Sequence, residues 1–209
     1  MQIDCGEYES NGTSILGLRY KNGVLFAADS RTTTGQFVST RDSDKIVQCT
    51  DNIVSLGTGR SAHIQKLNRL LSKEISELAV SEETQPSITK SVKMIKNILY
   101  NNRDLLSCEF IIGGYDNDYK LFKVCKEGVI VEDDLLIAGS GSTFIRGYTK
   151  SVFKKDMSKE EAMKFAIDSL RLAINCDNSS GGLIRICIFE GSGVERFVLD
   201  GQDVFFKNE

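Results

Sequence analysis

The chain changes hydrophobic period several times, and the changes divide it into strand-like and helix-like blocks. Ser14 to Tyr20 and Val24 to Ala28 are apolar, β-rich runs joined by Lys21-Asn22-Gly23, and Asn-Gly between such runs predicts a tight hairpin. Lys45 to Cys49 and Ile53 to Leu56 predict two further strands. The period then lengthens: Ile64, Leu67, Leu70, Leu71, Ile75 and Leu78 fall on one helical face, as do Ile88, Val92, Ile95, Ile98 and Leu99 on a second helix. Strands return at Phe110 to Gly114, Lys120 to Val124, Val129 to Val131 and Leu135 to Ala138, with Asp116-Asn117-Asp118 as the first turn. A short helix starts near Ser142. A longer one starts at Ser158, where Ser158 and Glu161 have capping-box spacing and Met163, Phe165, Ala166, Leu170 and Ala173 form a buried stripe. Leu183 to Phe189 and Val194 to Leu199, separated by Gly191-Ser192-Gly193, close the chain as a hairpin.

Strands, two helices, strands, two helices, strands: this segregated order predicts an α+β fold of packed sheets with helices outside. No repeat, low-complexity tract or linker interrupts the 209 residues, so one domain is expected. With 41% hydrophobic and 26% charged residues, the chain has the material for a sizeable core. The net charge of -3 and the lack of a long basic block argue against nucleic acid or an anionic membrane as partner. No run reaches the roughly 18 apolar residues of a membrane span. The six cysteines are scattered without a C-x-x-C pair, so no metal site and no disulfide framework is expected, and no cofactor motif is present. The first residues lack the apolar core of a secretory signal and the Arg-rich character of a mitochondrial address. Reduced thiols in a cytosolic or nuclear protein are therefore expected. His63 is the only histidine, so any imidazole base must be that residue; at a helix start it reads as a surface or half-buried polar group.

A polar, acidic stretch stops abruptly at Gly12-Thr13, where the first apolar run begins. A disordered start explains this. So does a short leader whose removal exposes Thr13 as a new amino terminus, since a Thr hydroxyl beside its own free amine is a nucleophile and base in one residue. Asp29 and Arg31 emerge from an apolar strand at i, i+2 spacing and point the same way, as a structural ion pair at a sheet edge would. Lys45 is a solvated charge by composition; beside Thr13, its field would favour an ionised hydroxyl and a neutral amine. Gly57-Thr58-Gly59 ends a strand before a helix, either as a plain turn or with a backbone N–H facing a developing oxyanion. Gly139-Ser140-Gly141-Ser142 lacks the Gly-Lys-Ser/Thr of a phosphate loop, and Asp177 to Gly182 reads as a helix exit into a strand.

Taken together, T13-S-I, A28-D-S-R-T-T-T-G35, D44-K45, G57-T-G59, A138-G-S-G-S-T-F-I-R-G-Y148, M157-S-K-E-E161 and D177-N-S-S-G-G182 resemble the catalytic beta subunits of the eukaryotic proteasome core particle. The resemblance is closest to the caspase-like class and runs from Thr13 to about Leu199. It implies an N-terminal-nucleophile hydrolase with a four-layer αββα sandwich, two antiparallel sheets flanked by helices, and the active Thr at a sheet edge. Residues 1–12 are then a propeptide cut autolytically at Gly12-Thr13, and residues 13–209 the hydrolase domain. The implied activity is a threonine endopeptidase acting on unfolded, ubiquitin-targeted polypeptides. The implied partners are other beta subunits in a heteroheptameric ring, stacked on a second beta ring and on alpha rings.

By the same resemblance, Asp29, Lys45, Ser140, Asp177 and Ser180 surround the Thr13 nucleophile, Arg31 is a structural partner, and the Gly59 N–H is the oxyanion donor. Thr33, Gly59 and Ser61 fall where substrate backbone is held as an added strand. Thr32, Ser43, Val47, Gly57, Ser61 and Gln65 line the specificity pocket, with Arg60 nearby. Gly57 stands where caspase-like subunits carry an Arg that meets an acidic side chain, so weakened acidic selectivity and a roomier, uncharged pocket are expected. Two other functions remain: a non-catalytic structural subunit of the same ring, which has no chemical need for Gly12, Thr13, Asp29 and Lys45 together, and a free-standing amidohydrolase active as a monomer.

Overall fold

The computed structural model describes residues 12–34, 37–191 and 193–201. The predicted leader, apart from Gly12, together with Cys5, Gly35 and Ser192, lies outside the described residues. The expected hairpin forms, pairing β1 (Ile15–Tyr20) with β2 (Gly23–Asp29) from Ile15↔Ala28 to Tyr20↔Gly23; Lys21-Asn22 is the turn, and Gly23 already belongs to β2. β2 is followed by β3 (Thr32–Thr34), β4 (Phe37–Thr40), β5 (Ile46–Thr50), β6 (Ile53–Gly59), α1 (Ser61–Ser81) and α2 (Ile88–Asn101). Then come β7 (Cys108–Tyr115), β8 (Tyr119–Val124), β9 (Ile130–Glu132), β10 (Leu135–Ala138), α3 (Ser142–Val152) and α4 (Lys159–Cys176). β11 (Leu183–Glu190) and β12 (Gly193–Asp200) form the closing hairpin.

Two five-stranded antiparallel sheets result, ordered β10-β1-β2-β11-β12 and β5-β6-β7-β8-β9. Strand periodicity sorts their side chains into separate cores. Along β2, Val24, Phe26 and Ala28 enter the core between the sheets, while Leu25 and Ala27 pack with Phe165, Ala166 and Leu170 of α4. Along β7, Ile111 faces the other sheet, while Phe110 and Ile112 pack with Leu67, Leu71 and Ile75 of α1 and Val92, Ile95 and Leu99 of α2. Three apolar layers thus separate four layers of structure, the αββα sandwich. Each fully buried large side chain stabilises this arrangement by about 1.5–3 kcal/mol.

The capping box forms as spaced: Ser158 Oγ accepts from the Glu161 N–H, and the Glu161 carboxylate accepts from the Ser158 N–H. In the α4 stripe Met163 is only half-buried, and Ala162 takes a buried place. On α1, Leu70 and Leu78 are exposed rather than buried, and the polar Asn68 is buried instead. The β3–β4 pair has no counterpart in the sequence pattern: its strands are short, and Phe37 to Thr40 are exposed throughout, so they show no alternation.

Candidate active site

Strand ends from both sheets converge around Thr13. Thr13 precedes β1, which lies between β10 and β2, so the edge it occupies is one made of strand ends. Asp29 closes β2, Lys45 stands just before β5, Ser140 lies between β10 and α3, and Asp177 caps the C-terminus of α4.

Thr13 is 3% exposed, and its Oγ1 donates to the Gly12 carbonyl at 2.6 Å. Lys45 Nζ donates to that same carbonyl at 3.2 Å, to Thr13 Oγ1 at 3.2 Å and to Asp29 Oδ1 at 2.6 Å. Asp29 is wholly buried and fully paired: Oδ1 also accepts the Ser14 N–H at 2.8 Å, and Oδ2 accepts the N–H groups of Arg31 at 3.2 Å and Gly181 at 3.0 Å. Burial pushes the Lys45 ammonium below its ordinary value, and the Asp29 carboxylate opposes that shift. The predicted Asp29–Arg31 ion pair is corrected: Asp29 pairs with Lys45, while the Arg31 guanidinium turns away to donate to the Asn178 carbonyl at 2.8 Å. Only the Arg31 backbone supports Asp29, because Gly181 leaves room for the guanidinium to lie across it.

On the other flank Ser140 Oγ accepts the Thr13 backbone N–H at 3.1 Å and donates to Asp177 Oδ2 at 2.6 Å. Ser180 Oγ donates to the same carboxylate oxygen at 2.7 Å and lies 2.8 Å from Ser14 Oγ. Two glycines permit this closeness: a side chain at Gly139, whose φ is +91°, would strike the Thr13 carbonyl, and one at Gly141 would strike Ser14 Oγ. Gly12 is held equally tightly. Its N–H donates to Thr33 Oγ1 at 2.9 Å, and a Cβ there would overlap Ser179. A hydroxyl beside a carbonyl carbon, with an ammonium on the carbonyl oxygen, is arranged for nucleophilic attack on that carbon.

A cleft of about 840 Å³ opens from Thr13 along α1. Thr32, Ser43, Val47, Gly57, Ser61 and Gln65 all line it, as the sequence implies. Thr33 and Arg60 do not; Arg60 is the N-cap of α1, and Thr33 contacts Gly12. Gly59 ends β6 with φ +114° and is also outside the lining; the Gly12 carbonyl is met by Thr13 and Lys45, not by the Gly59 N–H. Gly57 is closely covered by Ile64, whose Cγ2 would lie 2.4 Å from a Cβ at that position. His63 is half-buried on α1 and lies outside the cleft lining. Ser14, Ile64, Cys49, Asn68 and Ser72 escaped sequence reasoning. Asn68 alone left a signal, a polar residue inside the apolar stripe of α1.

The chain is 37% identical over 198 residues to the probable proteasome subunit beta type-1 of Encephalitozoon cuniculi, covering 95% of this chain and 97% of that relative. It is 38% identical over 191 residues to proteasome subunit beta type-1 of Saccharomyces cerevisiae, covering 90% and 88%. It is 34% identical over 198 residues to proteasome subunit beta type-6 of Arabidopsis thaliana, covering 94% and 85%. The family model described as Proteasome subunit matches residues 9–189. The chain belongs to the proteasome beta-subunit family. This is a threonine protease family, and its beta subunits assemble with other subunits into the core particle. The sandwich and the converging strand ends described above are the frame of such a proteasome subunit.

Proposed function

We propose that this subunit is catalytic, a threonine-type endopeptidase whose nucleophile is Thr13 Oγ1 and whose base is the α-amine freed when residues 1–12 leave. The observation that carries this reading is the single ammonium of Lys45 bridging Thr13 Oγ1, the Gly12 carbonyl and buried Asp29. A subunit kept for interfaces alone has no use for a buried ion pair aimed at a hydroxyl and its neighbouring carbonyl.

In autolysis Thr13 Oγ1 bonds to the Gly12 carbonyl carbon, the carbon–nitrogen bond to Thr13 breaks, and the hydroxyl proton ends on the departing amine. Lys45 holds the negative charge that develops on the Gly12 oxygen. Water then cleaves the Gly12 ester, returning the Thr13 hydroxyl and releasing the leader as a carboxylate. The new α-amine lies near Ser140 Oγ; a free α-amine ordinarily titrates at about 7.7–8.0, so close to neutral pH a useful fraction is unprotonated and can accept the hydroxyl proton. Blocked as an amide, the same nitrogen is no base, and Gly12 sits against the nucleophile. The leader therefore silences the subunit until it is removed. In substrate hydrolysis the same steps act on an incoming carbonyl, with the Gly59 N–H as the second oxyanion donor by resemblance.

The same reading includes a heteroheptameric beta ring stacked on a second beta ring and on alpha rings, in the cytoplasm and nucleus, acting on unfolded, ubiquitin-targeted polypeptides. Intact mass of the assembled protein tests it. A chain beginning at Thr13 supports processing and nucleophile together; a mature chain retaining residues 1–12 overturns both.

A further inference from the structure

Past Gly57 the cleft runs along α1, and its floor carries a polar group that nothing described in the protein pairs. Asn68 is 2% exposed and lines the cleft, yet neither its amide nitrogen nor its amide oxygen has a hydrogen-bond partner among the described residues. Buried amides are almost always paired, because a donor and an acceptor stripped of water without replacement are costly. The less exposed lining residues nearest Asn68 are uncharged, whereas Arg69, the next residue of α1, also lines the cleft but is exposed. Ile64 lies one turn before it and Ser72 one turn after, and β5 contributes Val47 and Cys49. The Cys49 thiol is neutral, pushed up to about 11 by burial.

The charged groups of the lining are engaged or lie outward. Lys45 is committed to Asp29, while Asp44, Arg69, Lys73 and Glu77 are exposed, Lys73 facing Glu77 at 3.9 Å. Among the described residues, no cation is buried beside Asn68 to receive a carboxylate.

We propose that Asn68 is a specificity-determining residue, reading the uncharged amide of glutamine at the substrate residue whose carbonyl Thr13 attacks. The assignment rests on the protease reading of Thr13. A primary amide offers one acceptor and two donors in a single planar group, matching the unpaired donor and acceptor of Asn68. Leucine leaves both atoms of Asn68 unpaired. Glutamate meets the Asn68 nitrogen but sets a negative charge beside its oxygen without a compensating cation. From Ser61, at the start of α1, to Asn68 the helix rises by about 10 Å, so the longer glutamine is favoured over asparagine. Sites built to hydrogen-bond a substrate group discriminate against analogues lacking it more sharply than apolar pockets do.

The test uses assembled particles whose other active subunits are disabled. It compares peptides that differ only in Gln, Asn, Leu or Glu before the cut, by kcat/KM and by equilibrium binding of the corresponding product peptides. Glutamine is expected to exceed leucine and glutamate by about tenfold in both measurements. Asn68→Leu removes the preference and favours leucine; Asn68→Asp, which keeps size and shape, removes it as well. A wild-type Gln-to-Leu ratio near one, or a ratio that neither variant moves, overturns the assignment. Absence of turnover for all four peptides overturns the protease reading instead, and product binding still decides the role of Asn68. Should Asn68→Leu fail to assemble, Asn68→Asp decides alone.

Discussion

Two polar regions flank Thr13, and they are built in opposite ways. On the side of Asp29 and Lys45 every buried charge is satisfied: one carboxylate takes an ammonium and three backbone N–H groups, and the ammonium takes three acceptors. On the side of Asn68 the buried amide is left open. Under the proposed function, the difference follows from what each region must do. Groups that tune a nucleophile have to be held in one geometry before substrate arrives, which requires complete pairing. Groups that read a substrate side chain have to keep their hydrogen bonds for the incoming partner, which leaves them unpaired in the free protein.

Removing Thr13 tests the satisfied side most severely. Thr13→Ala is expected to retain residues 1–12 and to lose this subunit's peptidase activity entirely, because one hydroxyl serves both reactions. N-terminal sequencing checks it: a clean cut after Gly12, made without help from another active subunit, would exclude autolysis by Thr13.

Lys45→Ala should assemble yet lose at least about 100-fold in turnover, the scale of positioned proton-transfer assistance. Assembly survives because Asp29 keeps its bonds from Ser14, Arg31 and Gly181. Near-normal turnover in an assembled variant would make Lys45 a structural residue. If the subunit is catalytic as proposed, the alkaline limb of kcat/KM in the assembled particle should fall below the ordinary lysine range, since burial lowers the Lys45 pKa and the ammonium is lost as pH rises through that lowered value. A limb that Lys45→Ala leaves in place would belong to another group.

Gly12→Ala acts on the same side more gently. Its methyl group would overlap Ser179, so the scissile carbonyl shifts away from Thr13 Oγ1 and leader removal slows by at least about tenfold, 1.4 kcal/mol in barrier. The time course of intact mass measures this, and wild-type processing would show that Ser179 yields.

The smallest effect sharpens the open side. With Gly57 where a cation was expected and Ile64 over it, glutamate before the cut should lead leucine by less than about tenfold in kcat/KM. A larger lead would mean that Arg60 or a neighbouring subunit supplies a charge.

Much of this molecule is legible in its sequence, because the signals are local. Lys21-Asn22-Gly23 marks a hairpin by interrupting two apolar runs, Ser158 and Glu161 cap α4 across three residues, and alternation along β2 sorts its side chains between two cores. The motifs around Thr13, Asp29 and Lys45 likewise point to the family from the sequence alone. What tertiary structure alone decided is which distant groups meet. Lys45 could have paired with solvent and Asp29 with Arg31, and nothing in a period of two or 3.6 residues says otherwise. The two sheets bring the start of β5 against the end of β2, and burial then makes the Lys45–Asp29 pair the arrangement that leaves no charge unpaired. The same packing turned Asn68 inward and Leu70 and Leu78 outward on one helix, because the face α1 presents is chosen by the sheet it covers and not by the helix itself.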